Sequence, residues 1–339
     1  MSRRQVRARS VAVAVLACAL AVVIAQPAAT QESDAAWRRH FARTPMPPAP
    51  ADNAMTPEKV ALGAALFADP RLSGNGRRAC TSCHQPSRSF SDGRRRARAI
   101  SGGPLQRNTP ALWNLAWGKL FFWDGRAASL EAQAQKPIEE ASEIAGDWPT
   151  ILARLQADAG LVAQMRAAFP DRPHHPEQAQ VLQALGAYVR SLVSAPTRFD
   201  AWVAGDDAAL GARELAGFHL FVGKAQCVLC HAGWRFTDDR FHDIGLRGRD
   251  PGRSAVAGGT PGLRAFKTPS LREVAHTAPY MHDGSLPNLD AVLRHYSGTF
   301  ARRPSVAPSM PRDLQLTAAE RRDLIAFLAT LSSGRQVKQ

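Results

Sequence analysis

Two pentads constrain this chain more than any other feature: CTSCH at residues 80–84 and CVLCH at residues 227–231. A Cys-x-x-Cys-His pentad is the signature of a covalently attached c-type haem, with two cysteine thioethers and the histidine as an axial iron ligand. Cys80, Cys83 and His84 are therefore expected to hold one haem, and Cys227, Cys230 and His231 a second. A four-cysteine zinc ribbon spaces its pairs by roughly 15–20 residues, whereas these pairs begin 147 residues apart. Disulfides would leave the histidine after each pair unexplained. Apart from Cys18 no cysteine is left over. The next histidine after His84 is His174, so what covers the other face of the first iron becomes the central question.

The start of the chain reads as an export signal. Residues 2–9 (SRRQVRAR) carry four arginines and 11–25 form an apolar run too short for a comfortable membrane span. Residues 1–25 are thus expected to be a cleaved signal peptide, with Cys18 an inert member of its apolar core, and the mature protein to be periplasmic without a membrane span. Arg3-Arg4 hints at twin-arginine export, but haem attachment favours crossing the membrane unfolded. The formal charge of +14 falls to about +10 once the leader's arginines are removed. An exported basic protein has no obvious nucleic acid to meet; an acidic redox partner suits the charge better.

Residues 26–55 read as a proline-rich tether, centred on TPMPPAPADN at 44–53. Thr56-Pro57 then opens a helix with a cap and an N1 proline. The segment GAALF (63–67) precedes the first pentad as GFHLF (217–221) precedes the second. Helical periodicity fills 149–169 and 177–194, Thr317 and Glu320 form a capping box, and no long alternating strand pattern occurs. Residues 236–265 read as a long loop. The expected fold is all-α, with two cytochrome c-like domains over 56–195 and 196–339, each carrying one haem.

The halves also match downstream of the pentads. With a shift of 159 residues, 108–132 falls on 267–291 without a gap, and eight positions are identical, among them Thr109-Pro110 on Thr268-Pro269 and Asp124-Gly125 on Asp283-Gly284. Duplication explains this better than chance. The same shift carries Pro137 onto Tyr296. Tyrosine can supply a phenolate oxygen to iron, whereas the proline ring offers no ligand.

The pentads, RNTP (107–110), FWDGRA (122–127), FKTPSLREV (266–274) and TAPYMHDG (277–284) resemble bacterial dihaem cytochrome c peroxidases and MauG-like enzymes over most of 56–332. The resemblance implies a peroxide-reactive haem in the first domain and an electron-transfer haem in the second. It implies Tyr296 as second-haem ligand, as in MauG, where the familiar peroxidases have methionine. Met281, His282, His295 and Met310 are the nearby competitors. In those peroxidases a histidine after the first pentad caps the peroxide haem; the matching loop here, 91–108, offers Ile100 or Ser101. One departure is Ala225, where MauG has a tryptophan on the way to its partner.

The same resemblance assigns Glu143, six residues after Pro137, as the acid/base that moves peroxide's proton, with Gln133 helping to line the pocket. A carboxyl group buried there should have a raised pKa. Trp123 corresponds to a tryptophan between the haems. A calcium ion, held by Asn108, Thr277 and Pro279 through oxygen atoms, is also implied. The expected function is reduction of hydrogen peroxide at the His84 haem with oxidation of an external donor, in the first instance a protein substrate. The alternatives are an ordinary peroxidase fed by a small cytochrome c or cupredoxin, and a non-enzymatic dihaem electron carrier.

Overall fold

The computed structural model describes residues 33–334, apart from 45, 173, 174, 312 and 313. The signal peptide expected at 1–25, Cys18 within it, and His174 lie outside the described residues.

Each half is built on one helix crossing. Thr56 caps α2 (Pro57–Phe67) by accepting the Lys59 N–H at 3.2 Å, and Pro57 occupies the first turn, where its missing N–H costs nothing. This helix lies on α6 (Gln178–Ser191). A Cβ on Gly63 would sit 2.0 Å from the Ala184 carbonyl oxygen, so only glycine permits the approach. In the second half α8 (Ala212–Val222) crosses α11 (Ala318–Ala329), and a Cβ on Gly217 would sit 2.0 Å from the Asp323 carbonyl oxygen. GAALF and GFHLF are thus the two crossing helices. The first crossing buries Leu62, Leu66, Phe67, Val181 and Leu185; the second buries Phe218, Phe221, Leu324 and Phe327. The Thr317–Glu320 capping box starts α11 as expected.

The 159-residue repeat extends to the backbone. Turns at Leu115–Trp117 and Val274–His276 follow left-handed Asn114 (φ 60°) and Glu273 (φ 63°). Isolated bridges pair Phe121 with Ala127 and Tyr280 with Leu286. Ser129 then caps α3 (Leu130–Glu139), and Asn288 caps α10 (Leu289–Arg294). There the copies part. The α3 helix runs on through Pro137, whereas α10 gives way to a π-helical turn, His295–Thr299, that carries Tyr296.

Three expectations need correction. The 26–55 tether is helical in part: α1 (Asp34–Phe41) presents Trp37 and Phe41 on one face, and Phe41 is fully buried in the second core. Asn53, at the end of the proline-rich stretch, is buried too; its Nδ2 donates to Glu131 Oε1 at 2.7 Å and to the Gln183 carbonyl at 2.9 Å. Composition hid both anchors, because prolines forbid helix between 44 and 53 without preventing the chain from packing at its ends. The periodic stretch 149–169 is two helices, α4 (Trp148–Gln156) and α5 (Ala159–Ala168), because Asp158 caps the second through the Leu161 N–H. The 236–265 loop contains a single turn of helix, α9 (Ser254–Ala257), and β1 (Phe241–His242), which pairs antiparallel with β2 (Phe266–Lys267).

Phe41 stacks on Phe236 with ring centroids 4.8 Å apart. Phe41→Ala should therefore cost about 3–5 kcal/mol, the usual range for emptying a buried aromatic site. Urea unfolding of the haem-loaded protein checks it; a loss under about 1 kcal/mol would mean α1 is not part of this core.

Candidate active site

Both pentads open onto one cavity of about 820 Å³ between the halves. Cys83, His84, Cys227, Cys230 and His231 are on its wall, while Cys80 packs against the first core. Trp123, Gln133, Pro137 and Glu143 line it from the first half, and Tyr296, Thr277 and Pro279 from the second. Asn108 joins them at the seam. The expected haem-attachment, proton-transfer and calcium residues are thus in or beside one space.

Backbone oxygens aim the histidines. His84 Nδ1 lies 2.9 Å from the Phe90 carbonyl and His231 Nδ1 lies 2.8 Å from the Phe236 carbonyl. Both phenylalanines are left-handed, with φ of 58° and 55°, which turns their carbonyls inward. With Nδ1 engaged in this way, Nε2 is the nitrogen left for a metal. Burial lowers both imidazole pKa values, against the opposing pull of those carbonyls, so the rings are neutral, as a metal ligand requires. The sequence contained a signal for this arrangement: each pentad is followed by an Arg/Ser-rich step to a phenylalanine, SRSF and WRF.

The cysteines fit thioethers better than zinc thiolates. All four are unpaired. Burial pushes the Cys80 and Cys227 thiols up to about 12, disfavouring the thiolate that zinc binds. Among the described residues the one convergent group of metal-ligating side chains is Cys230, Asp238 and His242. The two pairs therefore do not form a four-cysteine site.

Downstream of the seam the repeat diverges. Pro137 lies within α3, its repeat mate Tyr296 lies in the π-helical turn after α10, and both line the cavity. Burial raises the Tyr296 pKa, with Cys227 and Cys230 adding to it, so an unmetallated phenol here stays protonated. Of the competitors, His295 has its Nε2 2.9 Å from the Ile244 carbonyl, and His282 stacks on Phe266 at 3.5 Å. Met281 and Met310 also face the cavity. Burial raises the pKa of Glu143, opposed by Arg126 and assisted by Glu140. The Ile100 N–H donates to the Ser142 carbonyl at 2.9 Å, which ties the loop after the first pentad to the segment carrying Glu143.

The halves are joined by reciprocal hydrogen bonds. The Asn108 N–H donates to the His282 carbonyl at 2.7 Å, and the Lys267 N–H donates to the Trp123 carbonyl at 2.8 Å. Asn108 and Lys267 are repeat mates, as are Trp123 and His282, so a local two-fold relation passes between them. Trp123 Nε1 donates to the Asn108 carbonyl at 3.0 Å, which fixes the indole at this seam. The Asn108 amide donates to the Arg94 carbonyl at 2.9 Å, leaving its oxygen as a donor for a cation. Arg107, unremarked in the sequence, locks the seam by bridging Asp124 at 2.6 Å and Asp250 at 2.8 Å.

Comparison with known proteins agrees with this geometry. A family model for di-haem cytochrome c peroxidase matches residues 57–208, and one for cytochrome c matches 215–332. The methylamine utilization protein MauG of Methylorubrum extorquens is 47% identical over 90% of this chain and 87% of its own length. A cytochrome-c peroxidase of Denitromonas iodatirespirans is 36% identical over 93% of this chain and 92% of its own length. The solved structure of a MauG-like protein associated with microbial copper homeostasis has a TM-score of 0.80 at 32% identity, covering 86% of this chain and 94% of that one. No helix among the described residues is long and apolar enough to cross a membrane. With two cytochrome c-like domains, two pentads for two c-type haems and relatives of these kinds, the chain is an oxidoreductase of the di-haem cytochrome c peroxidase and MauG family, acting on peroxide.

Proposed function

We propose that the mature protein is a periplasmic, MauG-like enzyme that reduces hydrogen peroxide in its first half and oxidises an external protein donor through its second. The observation that carries this reading is the pair Pro137 and Tyr296: one repeated position, on one cavity, with a non-ligand in the first copy and an oxygen donor in the second. His84 would hold the first haem, and His231 with Tyr296 the second. A haem supplies the metal at which the O–O bond is cleaved and the electrons that peroxide receives. Overall, each peroxide takes two electrons and two protons and leaves as two waters.

The chain's own part is proton handling and positioning. Glu143, with its pKa raised by burial, is suited to take the proton from one peroxide oxygen and return it to the other. Gln133 lines the same wall. Trp123, pinned by Asn108, stands where the halves meet. Asn108, Thr277 and Pro279 offer the hard oxygen donors a calcium ion prefers.

A second reading, an ordinary peroxidase fed by a small cytochrome c or cupredoxin, is favoured by Ala225. It occupies the place of MauG's tryptophan and is buried, with 3% exposure. The ferric spectrum tests the proposal first: one high-spin and one low-spin haem are expected, and two low-spin haems would refute it. Turnover with reduced small cytochrome, compared with oxidation of tryptophan in a protein substrate, then separates the two readings.

A further inference from the structure

Between residues 77 and 98, around the first pentad, stand seven arginines and one aspartate, Asp92. The matching window around the second pentad, 224–245, holds three basic and three acidic side chains, counting Lys and Arg against Asp. In that second window all charged side chains but Arg240 are paired: Arg235 with Asp239, Lys224 with Glu320 at 2.6 Å, Asp243 with Arg303 at 2.6 Å, and His242 with Asp238 at 2.7 Å. The first window is different. Arg77, Arg88, Arg94, Arg95 and Arg98 are exposed. Among the described residues Arg77, Arg88, Arg94 and Arg98 make no ion pair, and Arg95 reaches only Asp283, at 4.0 Å.

These arginines stand on one folded segment, held together across the pentad. Arg78 donates to the Arg98 carbonyl at 2.6 Å and to the Ala99 carbonyl at 2.8 Å, tying the segment before the pentad to the loop after it. Arg88 folds over the same loop, with Nη1 2.4 Å from where a Cβ on Gly93 would be. Arg78 stands two residues before Cys80, so the segment borders the first pentad directly. Packing like charges together costs self-repulsion unless an opposite charge arrives.

We propose that this arginine collar around the first pentad is the docking surface for an acidic protein. The proposal goes beyond the reading of the chain as an enzyme: that reading brings the donor's electrons in through the second half, whereas this face binds an acidic protein beside the first. A protein fits better than an anionic membrane, because among the described residues the exposed large apolar side chains are Met46, Leu229, Val256 and Leu263, none of them within 77–98. A bilayer-seeking surface needs apolar anchors among its basic residues, whereas electrostatic steering of a protein needs charge alone.

Titration of the full-length, haem-loaded protein with poly-L-glutamate at low salt tests the collar, because screening is then weak. Arg94→Glu with Arg98→Glu should weaken binding by about tenfold or more, and Lys224→Glu with Arg240→Glu, beside the second pentad, by no more than about twofold. No binding by the unmodified protein, or less than about a threefold difference between the two variants, overturns the proposal. So does tighter binding of phosphatidylglycerol vesicles than of polyglutamate, which would make the partner a membrane. Peroxide consumption with neutral hydroquinone should be unchanged in the Arg94/Arg98 variant. Its absence from the unmodified protein would defeat the peroxidase reading and leave the binding result standing.

Discussion

Glu143→Gln should lower kcat for peroxide reduction by about 10²- to 10⁴-fold, the range a positioned acid/base contributes. Glutamine keeps the shape and can still hydrogen-bond, but it cannot accept and return a proton at these pH values. Burial is the largest influence on this carboxyl and raises its pKa; Arg126 opposes and Glu140 assists. Activity that needs the ionised form should therefore rise with pH through a limb above the ordinary glutamate range, and Glu143→Gln should abolish that limb. Stability should move the other way. A carboxyl whose folded pKa is raised contributes stability that is fully present below its unfolded pKa and is lost as pH climbs through the folded value. Glutamine carries no such penalty, so the variant should unfold at neutral pH no more easily than the parent. A dead enzyme with an unchanged unfolding midpoint would place the defect in proton transfer. A variant retaining more than about a tenth of the parent's kcat would show that another group moves the proton.

What was legible in the sequence was what needs particular side chains. The pentads are covalent chemistry and leave no freedom in spacing. The repeat was visible because its turns demand certain residues: Gly125 and Gly284 both have positive φ, 70° and 62°, and Asp124 and Asp283 each receive a backbone N–H two residues on. Gly63 and Gly217 left a trace in GAALF and GFHLF because a Cβ there would sit 2.0 Å from a carbonyl oxygen of the crossing helix, which excludes every other residue. Features made of backbone left none. The reciprocal bonds from Asn108 to His282 and from Lys267 to Trp123 use N–H and C=O groups that every residue has. The same holds for the carbonyls of Phe90 and Phe236, where only the recurrence of phenylalanine after each pentad was available. The first helix escaped because its face is just Trp37 and Phe41, four residues apart, next to a proline-rich stretch that dominates any reading by composition. The arginines at 94–98 were visible as letters, but whether they were neutralised depended on carboxylates distant in sequence, and those lie elsewhere.

Tyr296→Phe should convert the second haem from low-spin to high-spin in the ferric protein, a change of one full haem equivalent, and should lower kcat with a protein donor by about a hundredfold or more. The physical basis is the mismatch between the phenol and its surroundings. Burial raises the Tyr296 pKa, so a phenolate at this place exists only if a cation compensates for its lost hydration. Ferric iron held by His231 would be such a cation, and an anionic oxygen ligand in turn favours the metal's higher oxidation state. Phenylalanine fills the same volume without the oxygen, which separates ligation from packing. One result would count against this assignment, and a second would show a substitute ligand. An unchanged spectrum would remove Tyr296 from the iron, and Met310→Leu or Met281→Leu would then identify a thioether, since both methionines face the cavity. A shift to a new low-spin form would mean that a neighbour replaces the phenolate. His295 is the least able to do so, because the Ile244 carbonyl already holds its Nε2 at 2.9 Å. The decisive contrast is with the first half, where the repeat mate is Pro137. Pro137→Ala changes no ligand type there and should leave the ferric spin state as it was, so a spectrum that responds at 296 and not at 137 would tie the difference between the haems to this one diverged pair.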